Sequence, residues 1–330
     1  MQEIYQPSGK FSNLSLLYFI LTCIFILPIL AFIYSYLIWY VPIVYISFLF
    51  TAGFGFSTGL IIRYLVIKLG KIRNSSLALL LGIIGGFITL YISWAVWLDL
   101  DENISDIMST ARGGIAISST KIFSVLLIIT DPNLMLETIS EINNNGNWSI
   151  FGVQVNGIFL SIIWIIEALI VFYFSATITY NASKEPFCEL NNRWYDNHIL
   201  PSFQYIENIN EIISDIKNSN LKDSVDKSHL SYGSFEKLKL ITNDSEVSHS
   251  VFTLYKSKNT NSYLSIENKL ASLNNKGKII FDSDKIIEFA VISEEIQEKI
   301  EEKIFSHISK KITTDETFES KENNSRFLPK

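Results

Sequence analysis

From Leu14 to Ile62 the chain runs for 49 residues without one charged side chain. A helix that crosses a bilayer needs about 20 apolar residues, so this run reads as two spans, 14–38 and 42–62. The turn between them falls at Ile38–Pro42, where Trp39 and Tyr40 suit a membrane–water interface and Pro42 suits the first turn of a new helix. Pro28 lies inside the first span and is expected to kink it. Ser75–Leu98 is a second uncharged run, of 24 residues, and gives a third span, 75–98. Gly157–Tyr180 is another 24 residues with Glu167 as its single charge, and gives a fourth, 157–180. In lipid the backbone must satisfy its own hydrogen bonds, which restricts such segments to helices or closed barrels.

Composition then divides the chain. Within 14–98 the charges are Arg63, Lys68, Lys71 and Arg73, whereas residues 181–330 hold 24 acidic and 20 basic side chains. The expected fold is therefore an α-helical integral membrane domain of about four transmembrane helices, followed by a C-terminal cytoplasmic α+β domain over 181–312. A polar leader, 1–13, precedes it and a disordered tail, 313–330, follows. The leader lacks the pattern of a signal peptide. The net charge of −6 supplies no basic field for nucleic acid. Cys23 and Cys188 imply no disulfide framework.

Orientation rests on Arg63, Lys68, Lys71 and Arg73, a short connection with no acid in it. Basic loops stay in the cytoplasm, which places both termini there, in a multi-pass protein of the plasma membrane. The connection 99–156 then faces outside, with seven acids against Arg112 and Lys121. Within it, the apolar run of 115–130 is too short to span, and is expected to lie in the interface or re-enter. Asp131-Pro132 starts a short helix at 132–142, and Trp148–Val155 reads as extended. Asp99, Asp101, Glu102 and Asp106 match no calcium-loop spacing and read as a solvated acidic face.

Two helix faces carry small residues. Gly55 and Gly59 form one; Ala78, Gly82 and Gly86 form the other. Small residues at a four-residue spacing let helix backbones approach closely, either inside the bundle or on a neighbouring subunit. Glu167 is the sharpest single feature, because a carboxylate at mid-span is costly and usually faces a bundle interior or water path. It lies beside a stripe of Ser161, Trp164, Ala168, Val171 and Ser175. It reads as either a ligand or proton site, or a carboxyl that locks helices together.

In the soluble half, Pro186–Trp194 (PFCELNNRW) resembles the opening of a zinc ribbon, in which Pro-aromatic-Cys-x-x-Cys builds a metal knuckle. Asn191 stands at the second ligand position, and Ser257-x-x-Thr260 stands where a second knuckle would be sought. A structural zinc needs four good ligands, so no metal and no cofactor is expected. Phe203, Ile206, Ile209, Ile213 and Ile216 predict an amphipathic helix over Ser202–Lys217, and Leu221–His229 a second. Strands are expected at Val251–Tyr255, Ser262–Ile266, Lys278–Phe281 and Ile286–Ile292, in a sheet of about four strands, with a helix capped by Ser293. No phosphate loop, His-Glu-x-x-His or Gly-x-Ser-x-Gly occurs, and the four histidines lie far apart. The leading expectation is a non-enzymatic membrane anchor for a cytoplasmic protein-interaction domain, with a protein partner or homo-oligomer besides the lipid bilayer. The alternative is a transporter or channel subunit with Glu167 on its pathway.

Overall fold

In a computed structural model, residues 4–41, 44–110, 120–146, 148–150, 153–220, 237–241, 244–258, 260–294 and 296–306 are described. The chain forms two units, one of Pro7–Lys184 and one of Met1–Gln6 with Glu185–Lys330. Pro42, the Leu221–His229 helix and the tail expected at 313–330 lie outside the described residues.

The first unit begins with α1 (Leu14–Tyr40). Its π-helical turn, Thr22–Ile26, ends just before Leu27 and Pro28. A proline supplies no N–H, and widening the turn ahead of it accommodates that loss. Next is α2 (Val44–Ile62), prolonged by the π-helical Arg63–Lys68. The basic residues at 63 and 68 are therefore helical, and the true connection is short. α3 (Ser75–Thr110) likewise runs past Leu98, since the acids that follow favour no stop and neither Gly nor Pro intervenes. Two short helices, α4 (Ile122–Thr130) and α5 (Pro132–Asn145), meet at a bend of 100°. A small hairpin, β1 (Trp148–Ile150) and β2 (Val153–Val155), leads into α6 (Gly157–Lys184). α1, α2, α3 and α6 are long and apolar enough to cross a membrane.

Asp99 departs from the expected solvated face. It is buried, and its Oδ2 accepts a hydrogen bond from the Lys121 backbone N–H at 2.9 Å. Tyr91 donates to the Ile129 carbonyl at 2.9 Å, and Val125 and Ile128 share a core with Ile92, Ala95 and Val96. The start of α4 is thus fastened to α3 through a carboxylate that reasoning from charge alone assigns to water. At α5 the Asp131 carboxylate accepts from Asn133 N and Leu134 N, both at 3.2 Å, as an N-cap does.

The second unit is built on an antiparallel sheet. β5 (Asp196–Ile199) and β6 (Phe203–Gln204) both pair with β7 (His249–Lys256), followed by β8 (Ser262–Leu273) and β9 (Ile279–Ile292). It has five strands where about four were expected. The two strands expected at Lys278–Phe281 and Ile286–Ile292 merge into one that starts at Ile279, because polar Asp282–Lys285 still pairs with β8. Ile4 bridges to Ala290, and the Tyr5 N–H donates to the Phe289 carbonyl at 2.9 Å, so this unit includes the N-terminal residues. Alternate residues of β7 and β8, among them Phe252, Leu254, Leu264 and Ile266, form the core with α7 (Ile209–Asn220) and the helical residues 296–306.

The helix expected over Ser202–Lys217 starts only at Ile209. Phe203 and Ile206 are buried in the same core, but they arrive there as strand and loop. The backbone of Ile206 explains this. Its N–H donates to Ser250 Oγ at 3.1 Å, and its carbonyl accepts from Asn268 Nδ2 at 2.8 Å. Ser250 Oγ in turn donates to Asn268 Oδ1. Asn268→Ala removes both partners from a buried network, and an orphaned buried group costs about 1–3 kcal/mol. We expect a drop in chemical-denaturation midpoint of that size, whereas Asn274→Ala in the nearby turn should shift it less.

Candidate functional site

The outward residues of α6 are apolar. Ile158, Phe159, Ile162, Ile165, Ile166, Leu169 and Tyr173 are all exposed. Helical spacing turns the opposite face inward, and that face carries Trp164, Glu167, Ala168, Val171 and Ser175. α6 packs on both α2 and α3, while α1 packs on α3. Glycines permit that approach. A Cβ on Gly55 would stand 2.7 Å from Val171 Cα, and one on Gly82 would stand 2.7 Å from the Ser175 carbonyl. Gly59 faces Ile178 and the Phe174 carbonyl, and Gly86 faces Ser175 and Phe172. Ala78 is buried with Ile62, Leu81 and Ala182. Each of the two small faces is thus filled by α6 of the same chain.

Glu167 then opens into a cavity of about 290 Å³ to which all four long helices contribute. α1 gives Tyr34, Ser35, Ile38 and Trp39, α2 gives Ser47, and α3 gives Leu90, Ser93, Trp94 and Trp97. α6 gives Ile163, Trp164, Glu167 and Ala168, and among the described residues no Lys, Arg or His lines the space. The tryptophans touch edge to face. Trp94 meets Trp164 at 4.9 Å and Trp97 at 5.7 Å, and Trp97 meets Trp39 at 6.0 Å. Trp39, expected at a membrane–water interface, thus joins Trp94, Trp97 and Trp164 in an inward aromatic wall.

The hydroxyl protons of Tyr34, Ser35 and Ser93 around this cavity can be assigned. Thr51 Oγ1 donates to the Ser47 carbonyl at 2.9 Å, so the 2.8 Å contact between Tyr34 OH and Thr51 Oγ1 has tyrosine as donor. Ser35 Oγ lies 2.9 Å from the carbonyls of both Ala31 and Ser93, and Ser93 Oγ donates to the Leu90 carbonyl at 2.8 Å. These protons are held by backbone or neighbour oxygens rather than by Glu167. Tyr34 is fixed further by stacking on Phe54 at 3.9 Å.

The structure brings the other candidate set together as well. Cys188 and Arg193 pair across β3 (Phe187–Cys188) and β4 (Arg193–Trp194). The Asn191 N–H donates to Cys188 Sγ at 3.3 Å, and Asn192 turns the chain at a positive φ of 50°. Asn191 Nδ2 reaches Ser257 Oγ at 2.9 Å and the Lys258 carbonyl at 2.7 Å, while Tyr195 OH donates to Thr260 Oγ1 at 3.0 Å. Burial pushes the Cys188 thiol up, but the Ser257 and Thr260 hydroxyls and the N–H groups of Asn191 and Leu190 hold it below the ordinary range. The two i,i+3 loops thus face each other as paired knuckles do. Their side chains supply one sulfur and three neutral polar groups, which does not fit a structural zinc.

Of the topology residues, Arg63 and Lys68 sit on the last turns of α2, and Lys71 adopts a positive φ of 50°. The Arg73 N–H donates to the Lys10 carbonyl at 2.9 Å. Sequence reasoning missed Tyr34, Ser35, Ser47 and Ser93. Hydroxyls inside uncharged runs were the available signal, but which helices face one another is not written in any one of them.

Compared with family models, with curated proteins and with solved structures, the chain matches none.

Proposed function

We propose that this chain is an integral membrane protein whose helical unit binds a small molecule and carries it or responds to it, as a transporter or channel component. The observation behind this reading is that Glu167 faces a cavity shared by all four long helices, with no cationic side chain among the described residues that line it. Such a carboxylate is expensive in a bilayer, and a purely structural role would be better served by a hydrogen-bonded amide. The membrane is the plasma membrane and both termini are cytoplasmic, as the basic connection around Lys68–Arg73 argues. The test is flux of protons and monovalent cations into liposomes carrying the full chain, read with pH- and potential-sensitive dyes. Glu167→Gln should lower flux about tenfold or more, with thermal stability kept. Equal flux in the variant, or none in either protein, overturns the reading.

A second reading, a membrane anchor for a protein-interaction domain, draws on the β8–β9 hairpin. Its far end extends beyond the β7 pairing, which stops at Lys269, and exposes Leu270, Leu273, Ile279 and Ile280. An apolar arm of this kind suits a protein partner. A homo-oligomer would have to use faces other than the glycine ones.

A further inference from the structure

The Glu167 cavity constrains its guest by sign and by softness. Among the described residues its one charged group is a carboxylate, and no Lys, Arg or His stands in the lining. The mapped hydroxyl protons of Tyr34, Ser35 and Ser93 are committed elsewhere, so their oxygens face a guest through lone pairs. An anionic guest would meet the carboxylate with nothing to offset it. A small hard cation asks for six or more oxygen ligands, usually with several carboxylates among them, and here one carboxylate and the hydroxyls of Tyr34, Ser35, Ser47 and Ser93 are spread over four helices among aromatic rings. What remains is a cation that needs few hydrogen bonds and is attracted by π-faces.

The tryptophans fit that description. Trp94 and Trp164 stand at 88° to each other, Trp94 and Trp97 at 73°, and Trp39 and Trp97 at 69°. Rings turned this far make a wall that bends around a corner, as the sides of a box do. A cation within about 6 Å of such rings is held by their quadrupoles, most strongly by tryptophan and most of all when desolvated. The volume, about 290 Å³, lies just under the lower bound of drug-sized ligand pockets, which run about 300–1,000 Å³, and so suits a small guest.

We propose that the cavity binds a tertiary or quaternary ammonium group, with Glu167 as counter-charge and the Trp39–Trp94–Trp97–Trp164 wall as its aromatic cage. This rests on the cavity being a ligand site, as proposed above. The ammonium group can belong to a free organic cation or to a lipid headgroup, and the two share the same chemistry.

The experiment uses the full chain in nanodiscs of phosphatidylglycerol, which has no ammonium headgroup. The probe is radiolabelled choline, followed by scintillation proximity. The competitor is 3,3-dimethylbutan-1-ol, its neutral isostere of almost the same shape. Saturable choline binding is expected. The isostere should compete about tenfold or more weakly, and Glu167→Gln should weaken choline by a similar factor. Trp94→Leu provides a second variant that leaves the charge in place and should also weaken choline. Equal affinity for choline and its isostere overturns the ammonium assignment but keeps the cavity as a ligand site. No saturable binding of either overturns both. In phosphatidylcholine nanodiscs, a raised apparent Kd for choline identifies the lipid headgroup as guest, and an unchanged one identifies the free cation.

Discussion

Replacing Asn191, Ser257 and Thr260 with cysteine, in the presence of native Cys188, should create a tight zinc site in this chain. The argument is geometric. Cys188 already accepts the N–H of Asn191 at 3.3 Å, and Asn191 already touches Ser257. Thr260 lies on the same loop as Ser257 and is within reach of the Cys188 sulfur. Four thiolates on two i,i+3 loops are what a tetrahedral structural zinc requires. Binding of structural zinc is worth about 10–16 kcal/mol at neutral pH, so even a partly strained site should reach sub-micromolar Kd. Cobalt is the convenient probe. The triple variant should show thiolate-to-cobalt charge transfer and the visible bands of a tetrahedral site, both lost on adding zinc. The wild-type chain should show neither. A monodisperse triple variant without these bands would mean that the two loops do not form a knuckle pair.

A second large effect is expected where α6 meets α2. Gly55→Ala places a methyl 2.7 Å from Val171 Cα, which is backbone and cannot swing aside. Overpacking of this kind costs about 1–3 kcal/mol. Gly82→Ala meets the Ser175 carbonyl and Ala176 Cα at 2.7 and 2.9 Å and should cost as much. Gly53, two residues from Gly55 on the same helix, has nothing within 4 Å of an added Cβ. Gly53→Ala should therefore be neutral or stabilise by up to about 1 kcal/mol through helix propensity. Thermal unfolding of the purified variants in detergent orders them. Equal midpoints for Gly53→Ala and Gly55→Ala would show that α6 does not seat against Gly55.

What the sequence reveals follows from what each signal physically encodes. Lack of charge over Leu14–Ile62 and Ser75–Leu98 reveals helices long enough to cross a membrane, because the requirement is one of length and apolarity. It misplaces their ends, since charge does not stop a helix. Asp99 continues α3 and is then buried by a backbone N–H from Lys121, a partner 22 positions away. Glu167 stands out as a lone charge, yet its surroundings come from α1, α2 and α3, whose arrangement depends on which glycines fit against α6. In the sheet, alternation identifies β7 and the start of β8, but the polar middle of β9 pairs through backbone alone. Phe203 and Ile206 match a helical period, and Ser250 and Asn268 override it by taking the backbone of Ile206. The knuckle loops were visible as a spacing of three between Cys188 and Asn191 and again between Ser257 and Thr260. Their meeting required the fold.

Pairing of Ile4 with Ala290, and of Tyr5 with Phe289, has a consequence for counting crossings. Two segments of a polypeptide that share a sheet edge must occupy the same aqueous compartment, since no strand can pair through a bilayer. In a membrane, the stretch from Gln6 to Glu185 must then cross an even number of times. The four long helices meet that parity, and a fifth crossing by α4 and α5 would break it. Where the four long helices cross, the bent pair therefore returns to the side from which it came. The sheet also stays unfinished at that edge until β9 has been synthesised, so Ile4 and Tyr5 wait for a strand made long after them.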